Sequence, residues 1–173
     1  MKTFLVPIDF SAVSEEIIDT AVTFARSFKG KVALLHAIQS QVITSEYALP
    51  LEALHEALVA EEKSSATKLI GYAARFRTVG LDAETFVRQG QPVTAILEMA
   101  NKVNADFIIM GSHGHGRLYD LLVGSTASGV IKGAKCGVII MPPSDKSQKS
   151  NGQRESFPEK TRSHSAADIA VRG

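Results

Sequence analysis

At 173 residues the chain is long enough for one domain with a real core, since a domain of that size buries roughly 70% of the surface its unfolded chain exposes. Its 19 Lys and Arg against 18 Asp and Glu leave a formal charge of +1, neither the basic excess that nominates nucleic acid nor an acidic tract that stores cations. The single cysteine, Cys136, excludes an internal disulfide framework and a four-thiolate zinc site, and it fits a reducing compartment.

The apolar run KTFLVPI, residues 2–8, ends in Pro7-Ile8-Asp9, the pattern of a buried strand running into a loop. Residues 11–30 then place Val13, Ile17, Ile18, Ala21, Val22, Ala25 and Phe28 at helical spacing, with Ser11 or Ser14 as N-cap and Gly30 at the C-cap end. Lys31–Ile38, KVALLHAI, is a second strand, followed by a polar connection through residue 50. From Leu51 to about Val79 the spacing predicts a long helix, with Leu54, Leu58, Leu69, Ile70, Ala73 and Phe76 turned inward and Gly80 closing it. Residues 82–90, DAETFVRQG, alternate Ala83, Thr85 and Val87 with Glu84, Phe86 and Arg88, which predicts a third, less buried strand at a sheet edge. Pro92 opens the next helix, which carries Val93, Ile96, Leu97, Ala100 and Val103 on one face. ADFIIM, residues 105–110, is a fourth strand; STASGVIKGA, residues 125–134, a short helix; and CGVIIMPP, residues 136–143, a fifth strand stopped by its prolines.

Strand and helix thus alternate. Repeated right-handed crossovers deposit their helices on a parallel sheet, so the expected fold is α/β: an open five-stranded sheet with helices on both faces, of the Rossmann-like kind. Residues 1–143 form the expected domain. Residues 144–173, with six Lys/Arg, four Asp/Glu and almost no large apolar side chains, are expected to be a disordered polar tail. The N-terminal apolar run is too short for a signal h-region or a membrane span, so a cytoplasmic protein without membrane or nucleic-acid partners is expected.

The chemistry concentrates in GSHGHGRLYDLLVGST, residues 111–126, directly after the fourth strand. Glycine admits positive φ and lets a ligand approach backbone amides without meeting a Cβ, and successive amides form an anion nest. Gly124-Ser125-Thr126 adds two hydroxyls and the unpaired amides of a helix N-terminus, a phosphate site by its chemistry. In an open parallel sheet the ligand crevice lies beyond the strand ends where strand order reverses, and an order of 3-2-1-4-5 would bring Pro7-Ile8-Asp9 opposite Met110-Gly111 there. The loop is neither a Walker A motif nor a dinucleotide fingerprint, so no P-loop lysine is available, and no charge clamp or positioned base for fast phosphoryl transfer is evident.

Gly111, Gly114, Gly124 and Ser125 in the pattern G-x2-G-x9-G-[ST], with an opening strand ending PIDFS and a closing CGVIIMP, resemble the ATP-binding branch of the universal stress protein family over residues 1 to about 143. The resemblance implies a sheet of order 3-2-1-4-5, bound ATP with Mg held through its phosphates, and a homodimer paired through the last strand, Cys136 to Met141. It implies that Pro7 and Asp9 border the adenosine, that Ile38 lies against the base, and that Met110 and Gly111 line the nucleoside. Gly114, Gly124, Ser125 and Thr126 would hold the phosphates, with His113 a polar neighbour; Thr126 replaces a valine frequent at that position and acts through its amide. The 144–173 tail has no counterpart in the family pattern.

Each sharp reading has a plainer competitor. The plainer reading of Asp9 is a carboxylate capping the first helix. His113 and His115 form a His-x-His pair without a third ligand close in sequence, so both read as polar loop residues. Arg117 either neutralises phosphate or is simply exposed, His36 reads as a satisfied core histidine, and Cys136 as an inert packed thiol. The expected function is a nucleotide-responsive dimer in a stress response. The alternatives are a slow ATPase or self-phosphorylating protein using the same pocket, and a scaffold dimer without nucleotide.

Overall fold

The computed structural model describes residues 1–39, 50–112 and 123–142. The order is β1 (Thr3–Pro7), α1 (Ser14–Phe28), β2 (Lys31–Ile38), α2 (Leu51–Arg77), β3 (Ala83–Gln89), α3 (Pro92–Lys102), β4 (Phe107–Gly111), α4 (Ser125–Gly133) and β5 (Gly137–Met141). All four strand pairs are parallel and the sheet order is β3-β2-β1-β4-β5, so chain direction across the sheet reverses between β1 and β4. The α/β expectation and the strand order are both met. The expected tail lies outside the described residues, as do His113, Gly114, His115 and Arg117.

Because successive strand residues face opposite sides, the central strands divide their apolar residues between two cores. Phe4, Val6 and Ile8 join Val32, Leu34 and Ile109 under α1 and α2, where they meet Ile17, Ile18, Leu69 and Phe76. Leu5, Leu35, Ile108 and Met110 face the other way, against Ile96 and Met99 of α3 and Val130 of α4. Phe4 is completely buried and stacks on Phe107 with ring centroids 5.7 Å apart. Burial of such a side chain contributes about 1.5–3 kcal/mol. At the opposite end of the sheet from the strand termini that matter below, Lys2 Nζ donates to Asp106 Oδ1 at 2.7 Å and the Thr3 amide donates to Asp106 Oδ2 at 2.8 Å. The Lys2 hydrogen bond, then the Thr3 amide, holds the Asp106 carboxyl below its usual range.

Four local expectations are corrected. Helix α1 starts at Ser14 behind Val13 and has no side-chain N-cap. The Ser11 hydroxyl has no partner among the described residues, while the Ser14 hydroxyl turns back to Asp9. Gly30 is not the left-handed C-cap of α1: Lys29 takes that place at φ 48°. Gly30 answers a packing demand instead, since a Cβ there would lie 2.6 Å from both the Phe4 ring and the Lys2 carbonyl oxygen. On α2, Leu54 and Ile70 are 40% and 54% exposed and do not face inward. The buried row is Ser65, Leu69, Ala73 and Phe76, at helical spacing, and Ile70 lies about 100° around the helix from it. Edge strand β3 is half-buried on both faces at Thr85, Phe86 and Val87, so its alternation is weaker than its sequence implies.

Candidate functional site

A crevice of about 520 Å³ opens at the carboxyl ends of the strands, where the order reverses. Pro7, Ile8 and Asp9 form one wall as the chain leaves β1, and Ala37, Ile38 and Gln39 continue that wall from β2. Met110, Gly111 and Ser112 leave β4 opposite them, and Gly124, Ser125, Thr126 and Ala127 close the crevice with the start of α4. Eight of the ten residues singled out from the sequence therefore line one cavity: Pro7, Asp9, Ile38, Met110, Gly111, Gly124, Ser125 and Thr126. The other two, His113 and Gly114, lie outside the described residues.

The site is built from paired backbone. The Ser112 amide donates to the Met141 carbonyl at 2.8 Å, and the Gly124 amide donates to the Ser112 carbonyl at 2.7 Å. Ser112 thus ties the end of β5 to the start of α4. Gly124 has φ −66° and ψ 164°, extended backbone that any residue adopts. A left-handed turn is therefore not what glycine supplies here. Among the described residues no side chain caps α4, and Gly124, Ser125 and Thr126 at its start line the crevice, so its first-turn amides are available to an anion there.

On the opposite wall, Asp9 Oδ1 accepts from the Ser11 amide at 3.0 Å and from the Ser14 hydroxyl at 3.2 Å. Asp9 does organise the entry to α1 while its residue lines the crevice. His36 Nδ1 lies 2.7 Å from the Ile8 carbonyl oxygen. A carbonyl only accepts, so Nδ1 carries the proton of this bond. His36 is a satisfied histidine, and it also lines the cavity.

Sequence reasoning missed several wall residues. Glu61 of α2, Gln39, Pro92 and Ile96 line the crevice, and none stands in a motif; they arrive by tertiary packing alone. Ser112 was within reach of inspection, adjacent to Gly111 and 4% exposed. Among the described residues no Lys or Arg lines the crevice, and no group of three or more His, Cys, Asp or Glu is placed to hold a metal. Burial pushes the Cys136 thiol up, which leaves it little thiolate at neutral pH, in keeping with a packed thiol. No helix among the described residues is long and apolar enough to cross a membrane.

The model of the universal stress protein family matches residues 1–142. The chain belongs to that family. A universal stress protein of Methanocaldococcus jannaschii is 32% identical over 143 residues, covering 81% of each chain. The solved universal stress protein UspA of Lactobacillus plantarum superposes with a TM-score of 0.70 at 26% identity, over 81% of this chain and 97% of that one. A universal stress protein solved in complex with cAMP superposes with a TM-score of 0.58 at 26% identity, over 83% of this chain and 98% of that one. The family assignment and the strand order agree with the resemblance carried by PIDFS, G-x2-G-x9-G-[ST] and CGVIIMP.

Proposed function

We propose that this universal stress protein binds an adenine nucleotide, ATP, in the crevice between β1 and β4. The observation that carries the reading is convergence: residues from the ends of β1, β2 and β4 and from the start of α4, far apart in sequence, line one cavity of about 520 Å³. Its two ends differ chemically. The α4 end offers amides and the Ser125 and Thr126 hydroxyls, suited to phosphates; the β1–β2 wall offers Asp9 among apolar Pro7 and Ile38, suited to a nucleoside. Gly111 and Met110 lie between them. His113 and Gly114 join the phosphate end on the strength of the glycine motif.

Hydrogen bonds to a charged group contribute roughly 1.5–3 kcal/mol each, and micromolar affinity needs about 8 kcal/mol, so four or five amide and hydroxyl contacts supply the scale. Mg would enter with the nucleotide, held through its phosphates, and its charge would offset theirs, since no crevice lysine or arginine does so among the described residues. The relative solved with cAMP supports an adenine nucleotide as the ligand class. The same reading makes the protein a cytoplasmic homodimer paired through Cys136–Met141, in which bound nucleotide alters the dimer surface during stress.

The test is to denature purified protein, identify any released small molecule by mass spectrometry, and titrate nucleotide-free protein with ATP and Mg. The expected result is ATP or ADP released, or saturable binding that Gly124→Val abolishes. That substitution probes ligand approach without backbone strain, because φ is −66° there. No released nucleotide and no binding at millimolar ATP would overturn the proposal.

A further inference from the structure

Between Asp9 and α1 the chain passes through Phe10, whose φ of 60° is one of three positive values at non-glycine residues among those described. The left-handed region is strained for a residue with a Cβ, a strain that glycine would avoid. Phe10 gains ring contacts in exchange. Its centroid lies 4.4 Å from that of His36 and 6.4 Å from that of Tyr72, the latter stacked at 11°, and Lys68 Nζ sits 5.0 Å over the ring. The ring is therefore in contact with groups from both β2 and α2.

The same contacts fix the crevice wall. His36, under the Phe10 ring, donates from Nδ1 to the Ile8 carbonyl at 2.7 Å. The Ile8 amide donates to the Leu35 carbonyl at 2.8 Å, so both backbone polar groups of Ile8 are tied to β2. Asp9 lies between tethered Ile8 and clamped Phe10. Asp9 and His36 line the crevice, whereas Phe10 is outside its wall.

We propose that Phe10 is a positioning residue for the nucleoside end of the crevice, its strained backbone and clamped ring setting where Asp9 and His36 stand. The inference rests on the nucleotide reading for the identity of the ligand. Plain packing by Phe10 predicts that loss of its ring weakens every ligand alike, through stability. Positioning predicts a loss confined to ligands that carry a nucleoside.

The test titrates the full chain with ATP and with inorganic tripolyphosphate, both with Mg, in wild type, Phe10→Leu and Phe10→Tyr. The expected result is about tenfold weaker ATP binding in Phe10→Leu, the scale of one lost polar contact, with tripolyphosphate changed by less than about twofold and Phe10→Tyr close to wild type. Equal ATP affinity in wild type and Phe10→Leu, or equal loss of both ligands, overturns the positioning role. Wild type that binds no ATP overturns the nucleotide reading instead, and ligand-free amide exchange then decides on Phe10. Faster exchange of the Ser11 amide, with the β1 and β2 core amides unchanged, upholds the positioning; unchanged Ser11 exchange overturns it. Should Phe10→Leu fail to fold, Tyr72→Leu removes the outer clamp without touching the Phe10 backbone and is read in the same way.

Discussion

Asp9 serves two masters. Its Oδ1 accepts from the Ser11 amide and the Ser14 hydroxyl, and its residue lines the crevice. Ser14 is completely buried, so removing its acceptor strands a hydroxyl away from water. Asp9→Ala is expected to destabilise by about 1–3 kcal/mol in urea unfolding. Asp9→Asn keeps an acceptor oxygen and loses only the charge near the α1 N-terminus, an expected cost of about 0.3–1 kcal/mol. Equal losses in the two variants would show that charge, not the hydrogen bond, holds this turn. The carboxylate was legible as either a cap or a ligand contact because both need an acceptor at the same place, directly after a buried strand. Phe10 was not legible. A left-handed phenylalanine has no signature in sequence, since its ring contacts, His36 and Tyr72, come from elements far along the chain.

The elements most clearly written in the sequence are those with two apolar faces or a proline start. β1, β2 and β4 are short apolar runs because helices cover both sides of them, and Pro92 does open α3. The long α2 helix was legible in extent but not in orientation. Leu69 and Ile70 are adjacent, and only one can face the sheet; the winner is set by the row Ser65, Leu69, Ala73 and Phe76. Leu69 is completely buried and Ile70 is 54% exposed. Leu69→Ala is accordingly expected to cost about 2–5 kcal/mol, and Ile70→Lys to stay within about 0.5 kcal/mol of wild type. Thermal or urea unfolding of the two single variants checks both values, and a large loss in Ile70→Lys would mean that a partner surface covers this face of α2. Crevice residues Glu61 and Gln39 escaped sequence reading for a related reason: nothing in an exposed carboxylate or amide says which cavity its helix or strand end will border.

At the scale of the whole molecule the two sheet edges are unequal. β3 presents Glu84 and Arg88, charges of the kind that discourage further strand pairing. β5, GVIIM, carries no charge, and its Val138, Ile139, Ile140 and Met141 are only half-buried against the two cores. In a parallel strand alternate residues direct both N–H and C=O to the same side, so an unpaired β5 leaves alternate amides facing solvent. Pairing of β5 with its copy would engage that outward set and remove the exposed edge. Hydrogen exchange resolves the two states without a mutation. In a dimer the outward amides of Gly137–Met141 are expected to exchange at least about tenfold more slowly at high protein concentration than after dilution to monomer, the ratio given by about 1.4 kcal/mol of opening free energy. The inward set, already bonded to β4, is expected to change little. Outward amides that exchange equally fast at every concentration, in a protein sedimenting at the 18.5 kDa of one chain, would refute pairing through β5. The apolar edge would then need another cover, and the Ser112 bond to Met141 gives the reason it matters to the site: whatever covers β5 also bears on the residue that joins β5 to the α4 end of the crevice.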